Sequence, residues 1–431
     1  MDRATEPRRT PVEKAPEPEL GTALIPKERY TSPEFMRLEW ERLWTKVWLM
    51  GPRLQDLTEV GDYVCEEIGP ESLIFVRSSP DEVRAFHNVC PHRGNRLRNL
   101  GMGHVDSFRC SYHFFEFNLD GSKRRIPDAH DFRQGLPDER ICMHRVRADT
   151  WGGWVWYTLN PEAESLEEYL GVIPEHLDPY LFEEQVIIND KTIEWDCNWK
   201  ASVDAFNETY HVQAIHPQLL GMLDDINVQI DLYPRHNRYL VPFGVLSPRY
   251  PDQDEVTQPL REMMAAAGID VATFKGKAKD VRPELIAAGR RNFEARGMDS
   301  SALNDNQLVD DYHYMIFPNA TFNTHAGGFM LFRQRPHATD PNKMLFDLQN
   351  FVLLPKGSDP VRAEHEHFKH GDQSLGLVLD QDSYNLPRVQ KGMQSSAYKG
   401  LHISHQERRI RHMHRTVDQY LFGGGDGTGT A

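Results

Sequence analysis

Two regions of different pattern predict a chain of mixed α and β class. From about residue 50 to 160, short alternating runs divided by Gly, Pro and Asp read as strands of a small β domain. These runs are Tyr63 to Cys65, Ser72 to Val76, Val83 to Phe86 and Gly153 to Tyr157. From Val186 onward, strand-like runs at 313–317, 328–335 and 344–354 mix with helical ones near 200–223, 259–266, 280–296 and 372–394. A short acidic segment from Pro161 to Tyr169, followed by Pro174 and Pro179, separates the two regions. The α+β reading therefore comes with a domain boundary at 160/161.

The rest of the chain fits around this division. With 431 residues and 39% hydrophobic content, it can bury the cores of two or three domains. A net charge of −15 argues against a nucleic-acid partner. No apolar run reaches the roughly 18 residues of a membrane span, and the first residues lack a signal-peptide core, so a cytoplasmic location is expected. Residues 1–27 are rich in Pro and charge and read as a flexible arm. A helix is expected over 28–48, opened by Thr31-Ser32-Pro33-Glu34, which supplies a cap, a first-turn Pro and an acid near the positive helix end. Residues 247–310 are polar with few strand signals and read as an insertion or lid. A last helix is expected from Gln406 to Leu421, with a flexible Gly-rich tail at 423–431.

Five cysteines occur. Cys65, Cys142 and Cys197 are scattered singly and read as small buried groups or idle thiols, not as a disulfide frame. The other two belong to a pattern. Cys90-Pro91-His92 is followed, seventeen residues on, by Cys110-Ser111-Tyr112-His113. Two thiolates and two imidazoles arrive as a pair of short clips, the set that a [2Fe–2S] centre with two Cys on one iron and two His on the other requires. Tetrahedral zinc also takes two Cys and two His, and four unrelated buried residues are the third reading. The order favours the cluster, because each clip supplies one Cys and one His.

The second dense stretch runs from Asn198 to Pro217 and includes Glu208, Tyr210, His211 and His216. Glu208 and His211 are three apart and share a helix face if the segment is helical. His211 and His216 are five apart, about 140° around a regular helix, and cannot chelate one ion from it. The helix must widen into a π-type turn or end there, and Pro217 supports either version. Two imidazoles plus a carboxylate from elsewhere would form a facial triad that leaves iron(II) open positions. Ordinary surface or core histidines remain the alternative.

Taken together, Cys-Pro-His-Arg-Gly (90–94), Cys-x-x-His (110–113) and Asn-Trp-Lys…Phe-x-Glu-x-Tyr-His-x4-His-Pro (198–217) resemble the α subunit of Rieske non-haem iron oxygenases. That group includes aromatic-ring-hydroxylating dioxygenases and related demethylases, and the resemblance covers roughly residues 30–422. It implies Cys90, His92, Cys110 and His113 as cluster ligands, His211 and His216 as iron ligands, and Glu208 as an acid bridging the two centres. It also implies a third iron ligand eight residues before Gln390-Lys391-Gly392, which is Asp382, with Asp380 as the alternative. The implied fold is an all-β Rieske domain over 49–160 and a helix-grip-like catalytic domain with a curved antiparallel sheet over 161–422. The implied cofactors are a [2Fe–2S] cluster and mononuclear Fe(II).

The implied activity is O2-dependent hydroxylation of an organic, aromatic substrate. Oxidative O- or N-demethylation is the alternative, and a Rieske electron carrier without oxygenase activity is the alternative from another class. Electrons would come from NAD(P)H through a separate reductase, with or without a ferredoxin, because the chain shows no Gly-rich dinucleotide loop. A homotrimer or an α3β3 assembly is implied. Leu219, Leu220, Met222, Leu223, Phe322, Phe329 and Phe332 are candidates for an apolar pocket. Two departures from the family pattern stand out. Phe114-Phe115 follows His113 where Gly-Trp is common, and Ala205 stands where an Asn is often found.

Overall fold

The computed structural model describes residues 9–359 and 361–423. Residues 1–8 of the expected arm and 424–431 of the expected tail lie outside the described residues. The chain divides into two compact units, residues 39–169 and the remainder. The boundary falls at 169/170, not 160/161, because the acidic segment packs back on the first unit. Trp48 Nε1 donates to the Glu164 carbonyl at 2.9 Å, and Leu166 and Tyr169 are buried. The expected single helix over 28–48 is instead broken at Ser32, and the 38/39 unit boundary falls inside its second piece. Helices Glu28–Thr31 and Pro33–Glu39 are followed by a five-residue π turn, Trp40–Trp44. Ser32 caps as expected, its Oγ accepting from the N–H groups of Glu34 and Phe35.

The first unit is a seven-stranded antiparallel sheet. Its strands are Leu49–Arg53, Trp154–Thr158, Arg145–Trp151, Glu82–His87, Glu71–Ser79, Asp62–Ile68 and Gly101–His104 in spatial order. A three-stranded sheet of Phe108–Arg109, Glu116–Phe117 and Lys123–Arg125 stands beside it. Ile74, Val76, Phe86, Phe108 and Phe117 fill the core that the two sheets share with Cys90 and Cys110. The second clip is the loop between the first two strands of the small sheet, and the first clip follows Glu82–His87. Paired strands thus hold each clip.

The second unit is built on eight strands: β1 Gln185–Trp195, β2 Gln229–Leu232, β3 Asn237–Val241, β4 Asp311–Ile316, β5 Ala320–His325, β6 Gly328–Pro336, β7 Met344–Leu353 and β8 His365–Lys369. Their spatial order is β2-β3-β4-β5-β6-β7-β1-β8, antiparallel throughout except for the parallel β1–β8 edge pair. Helix Trp199–Ala205 packs on β6. Residues 247–310, between β3 and β4, form helices Gln258–Ala266 and Ala278–Ala295 with a core of their own around Leu260, Met264, Val281 and Leu285.

The expected helix over 200–223 does not form as one piece. It breaks into Trp199–Ala205, Val212–Ile215 and a 3-10 turn Pro217–Gly221. Residues 9–27, expected as a flexible arm, are held against this unit. Thr10 Oγ1 donates to the His176 carbonyl at 2.7 Å, and Ala15 N–H donates to Asp231 Oδ1 at 2.7 Å. Arg238 Nη1 donates to the Pro11 carbonyl at 2.8 Å, and Ile25–Pro26 pairs with Gly400–Leu401. The physical reason is the fully buried Arg238–Asp231 ion pair, whose remaining donors and acceptors need polar backbone. Arm composition cannot reveal such a need.

Candidate metal centres

The two clips have one backbone geometry, used twice. Cys90 N–H donates to the Asn95 carbonyl at 2.8 Å and Gly94 N–H to the Cys90 carbonyl at 3.0 Å. Cys110 N–H donates to the Phe115 carbonyl at 2.8 Å and Phe114 N–H to the Cys110 carbonyl at 3.0 Å. Each turn closes on a left-handed residue, Gly94 at φ 74° and Phe114 at φ 59°. The ligand candidates meet between the turns. The rings of His92 and His113 lie 4.6 Å apart, and Cys90 and Cys110 are buried.

Burial, with the neighbouring Cys110 sulfur, pushes the Cys90 thiol up to about 11. Burial acts on Cys110 in the same sense, but the N–H groups of Tyr112 and His113 and the Asn95 amide outweigh it, so that thiol is held below its ordinary value. His92 Nδ1 is buried and has no hydrogen-bond partner among the described residues. A buried imidazole nitrogen left without a proton acceptor or donor, beside two buried sulfurs, fits a two-Cys, two-His cluster.

In the second unit His211, His216 and Asp382 come together, each offering one ligand atom within 4.8 Å of the others. The helix resolves the five-residue spacing by ending. His211 is the residue before helix Val212–Ile215 and His216 the residue after it, at φ −123° and ψ 51°. Glu208 lies in the preceding turn, not on a shared helix face. Its two oxygens accept from His211 N–H at 3.0 Å and from His211 Nδ1 at 2.6 Å. His216 Nδ1 donates to Gln381 Oε1 at 2.8 Å. Both Nδ1 atoms are therefore occupied as donors, and both Nε2 atoms are free to ligate.

Asp382 Oδ1 stands 3.0 Å from His216 Nε2 and 3.8 Å from His211 Nε2. Ligand bonds of about 2.1 Å at about right angles put donor atoms about 3 Å apart, so this triad fits one ion. Burial works to lower the His211 pKa, but the Glu208 hydrogen bond and charge, with Asp382 and Glu407, outweigh it and raise the imidazole above its ordinary value.

Asp380 is not part of this group. Its carboxylate, in the first turn of helix Leu377–Met393, reaches back to the segment before the helix, accepting from Leu375 N–H at 2.7 Å and from Ser374 Oγ at 2.5 Å. Gln381 was not legible in the sequence as a site residue. It accepts from both His216 and Gln218 Nε2, the latter at 2.7 Å, and only its place beside Asp382 could have marked it.

Among the pocket candidates, strand register divides the three phenylalanines. Phe332 shares a face with Phe206, with ring centroids 4.5 Å apart. Phe322 stacks on Phe182 at 5.4 Å and Phe329 meets it tilted at 4.4 Å, both on the opposite face. Leu223 is buried in a separate cluster with Leu219 and Leu220 at its edge, and Met222 packs on the helical insertion.

Comparisons with known proteins agree with this architecture. Residues 47–137 match the family described as Rieske [2Fe-2S] domain, and residues 182–423 match Ring hydroxylating alpha subunit (catalytic domain). The glycine betaine monooxygenase oxygenase subunit of Chromohalobacter salexigens is 28% identical over 203 residues, 47% of this chain and 45% of the relative. The carnitine monooxygenase oxygenase subunit of Escherichia coli is 29% identical over 228 residues, 52% of this chain and 59% of the relative. This chain thus spans about half the length of the curated relatives it matches first.

The large oxygenase component of a Pseudomonas aeruginosa naphthalene 1,2-dioxygenase system is 25% identical over 317 residues, 72% of this chain and 66% of the relative. Among solved structures, a quaternary ammonium Rieske monooxygenase in complex with L-carnitine aligns with a TM-score of 0.67 at 19% identity, over 95% of this chain and 100% of that one. The match to the catalytic domain covers more than half of the sequence. The chain therefore belongs to the ring-hydroxylating α-subunit family, with a Rieske [2Fe–2S] domain ahead of its catalytic domain, and these domains imply a Rieske cluster and a mononuclear iron.

Proposed function

We propose that this chain is the oxygenase component of a Rieske system, with Cys90, His92, Cys110 and His113 holding the cluster and His211, His216 and Asp382 holding the iron. The observation that carries the reading is the meeting of two oriented imidazoles, one buried and one half-buried, with one buried carboxylate, within the stretch that matches the catalytic domain. When bound, the iron supplies open positions for activating O2 beside the substrate. The chain's own residues orient the donors. Glu208 keeps the His211 proton on Nδ1, Gln381 does the same for His216, and Asp382 contributes the charged third donor.

The relatives named for glycine betaine and carnitine favour a small quaternary ammonium substrate and monooxygenation. Hydroxylation of a carbon next to nitrogen is also the chemistry of N-demethylation, the alternative expected from the sequence. Aromatic hydroxylation, the first expectation, stands as the second reading, supported by the naphthalene dioxygenase component that aligns with 72% of this chain. Electrons are proposed to come from a separate reductase, with or without a ferredoxin. In a head-to-tail ring the cluster of one copy would serve the iron of the next, with Glu208 joining His211 to a cluster histidine, His113, of the neighbouring copy. Each carboxylate oxygen keeps a lone pair for such a bond. Among the described residues, no helix is long and apolar enough to cross a membrane.

The test is a panel of quaternary ammonium and aromatic compounds coupled to O2 and NADH consumption, with product mass reporting one added oxygen atom, two, or a lost methyl. Iron and sulfide analysis with a visible spectrum separates an oxygenase from a zinc protein. A protein that carries neither iron nor sulfide, or that consumes no O2 with any of the panel in the presence of reductant, would remove the oxygenase reading.

A further inference from the structure

The two clips share one backbone frame but differ in what their side chains send across to each other. Five residues after its cysteine, each clip supplies the carbonyl that accepts the Cys N–H. Asn95 does so for Cys90 and Phe115 for Cys110, each at 2.8 Å. Both side chains cross to the opposite clip. Phe115 is buried and stacks on His92, with ring centroids 4.5 Å apart and planes 6° apart. Asn95 Nδ2 reaches Cys110 Sγ at 3.6 Å, a distance suited to the larger radius of sulfur, and Ser111 Oγ at 3.3 Å. One crossing is thus a ring contact, and the other brings an N–H donor to a candidate ligand sulfur.

The loop that carries Asn95 is pinned on both sides. Ahead of it, the closed turn holds Cys90 to the Asn95 carbonyl. Behind it, the buried Asn88 side chain accepts from Leu97 N–H at 2.9 Å and Arg98 N–H at 3.0 Å, and donates to the Arg98 carbonyl at 2.8 Å. Chemistry also fixes which way the Asn95 amide faces. Its Nδ2 lies 2.9 Å from the Arg96 carbonyl, which can only accept, so the nitrogen and not the oxygen stands on this side. One amide proton is used there. The other is shared between the Cys110 sulfur and the Ser111 hydroxyl. Phe115 has no donor to offer in return.

We infer that Asn95 raises the reduction potential of the [2Fe–2S] centre, as a positioning residue acting through the Cys110 sulfur. A ligand sulfur gains negative charge when its cluster is reduced. A donor aimed at it therefore stabilises the reduced form more than the oxidised one. The inference rests on the cluster assignment proposed above and adds a residue that holds no metal. In that reading Asn95 makes the centre easier for a reductase to load and a milder donor to the iron.

The experiment is a potentiometric titration of the full-length holoenzyme, followed by visible absorbance, in the parent, Asn95→Leu and Ser111→Ala. Asn95→Leu keeps the backbone carbonyl that closes the turn and nearly the same side-chain volume, but it has no amide N–H. It is expected to shift the equilibrium about tenfold towards the oxidised cluster, a fall of about 59 mV for a one-electron couple. The oxidised spectrum and the iron and sulfide content should stay unchanged. Ser111→Ala frees the shared proton for the sulfur, so its potential should equal or exceed that of the parent. Should Asn95→Leu fail to load the cluster, Asn95→Ala also lacks the donor and is expected to lower the potential. A potential unchanged or raised in the loaded Asn95 variant, or an equal fall in Ser111→Ala, overturns the inference. A parent without the cluster spectrum overturns the assignment on which it rests, and the inference with it.

Discussion

At the residue scale, His211 and His216 owe their orientation to two side chains that touch no metal in the proposed arrangement. Glu208 and Gln381 take the Nδ1 protons, and Asp382 stands where the Nε2 atoms point. Asp382→Ala is expected to release most of the mononuclear iron while cluster absorbance stays, because two imidazoles alone form a weak and poorly oriented site. Asp380→Ala should keep the iron and lose only its bonds to Leu375 N–H and Ser374 Oγ, at a cost of about 1 kcal/mol. Metal analysis of the two variants side by side distinguishes the acids, and iron lost from Asp380→Ala alone would reverse the assignment. Glu208→Gln should leave both centres loaded but slow product formation in a single turnover of pre-reduced enzyme, since an amide cannot accept two charge-assisted hydrogen bonds as a carboxylate does.

Phe114 offers a second test at this scale. It adopts φ 59° in the turn position that Gly94 occupies in the other clip. A left-handed non-Gly residue costs about 1–2 kcal/mol, offset here in part by Arg109 over the Phe114 ring at 5.4 Å. Phe114→Ala keeps the strained Cβ and loses the ring contact, whereas Phe114→Gly removes the strain. The Gly variant should be the more stable of the two by about 1 kcal/mol in denaturant unfolding. Equal stabilities would mean that the turn is not strained.

At the scale of elements, the central strands β6, β7 and β1 are joined by a buried ion cluster as well as by their ladders. Asp347 accepts from Arg333 Nε and Arg335 Nη2, each at 2.7 Å, and from Thr192 Oγ1 at 2.7 Å. Burial alone would raise the Asp347 carboxyl, but Arg335 and Arg333 outweigh it and hold it well below the carboxylate range. A depressed folded-state pKa means that the stabilisation is present above the unfolded value, near 3.9, and is lost as pH falls towards the folded value. Asp347→Asn should cost roughly 3–5 kcal/mol at neutral pH, because two buried guanidinium groups lose their counter-charge. It should also flatten the fall in stability below about pH 4. A thermal scan against pH reads both effects, and a variant as stable as the parent at pH 7 would show the cluster to be dispensable.

At the scale of the whole molecule, each candidate ligand set lies inside one compact unit with a core of its own. Cys110→Ser is therefore expected to abolish the visible cluster spectrum while helix content and mononuclear iron remain. Collapse of both centres would mean that the units do not fold independently. The arm from Thr10 to Ala15 belongs to the catalytic unit through the buried Arg238–Asp231 pair. Its removal should lower the melting temperature of that unit and leave the cluster spectrum intact.

The sequence by itself determined the two-region α+β plan, the two cluster clips and the histidine pair. All of these depend on short-range spacing, and Pro217 supported either a π-type turn or a helix end at His216, between which only the structure decided. Strands near 313–317, 328–335 and 344–354 were legible from their apolar runs, whereas β1, with Asp190, Lys191 and Glu194 interrupting it, was not. Asp382 was legible only by resemblance, because nothing local separates it from Asp380. Tertiary structure separates the two acids, since helix Leu377–Met393 places the Asp382 carboxylate with the histidines and leaves that of Asp380 bonded to the segment before the helix. The assembly of Arg409 with His313, ninety-six residues away in the chain, was likewise decided by strand register and helix packing. A charged side chain in a polar helix sequence reads as solvated until the sheet that buries it is in place.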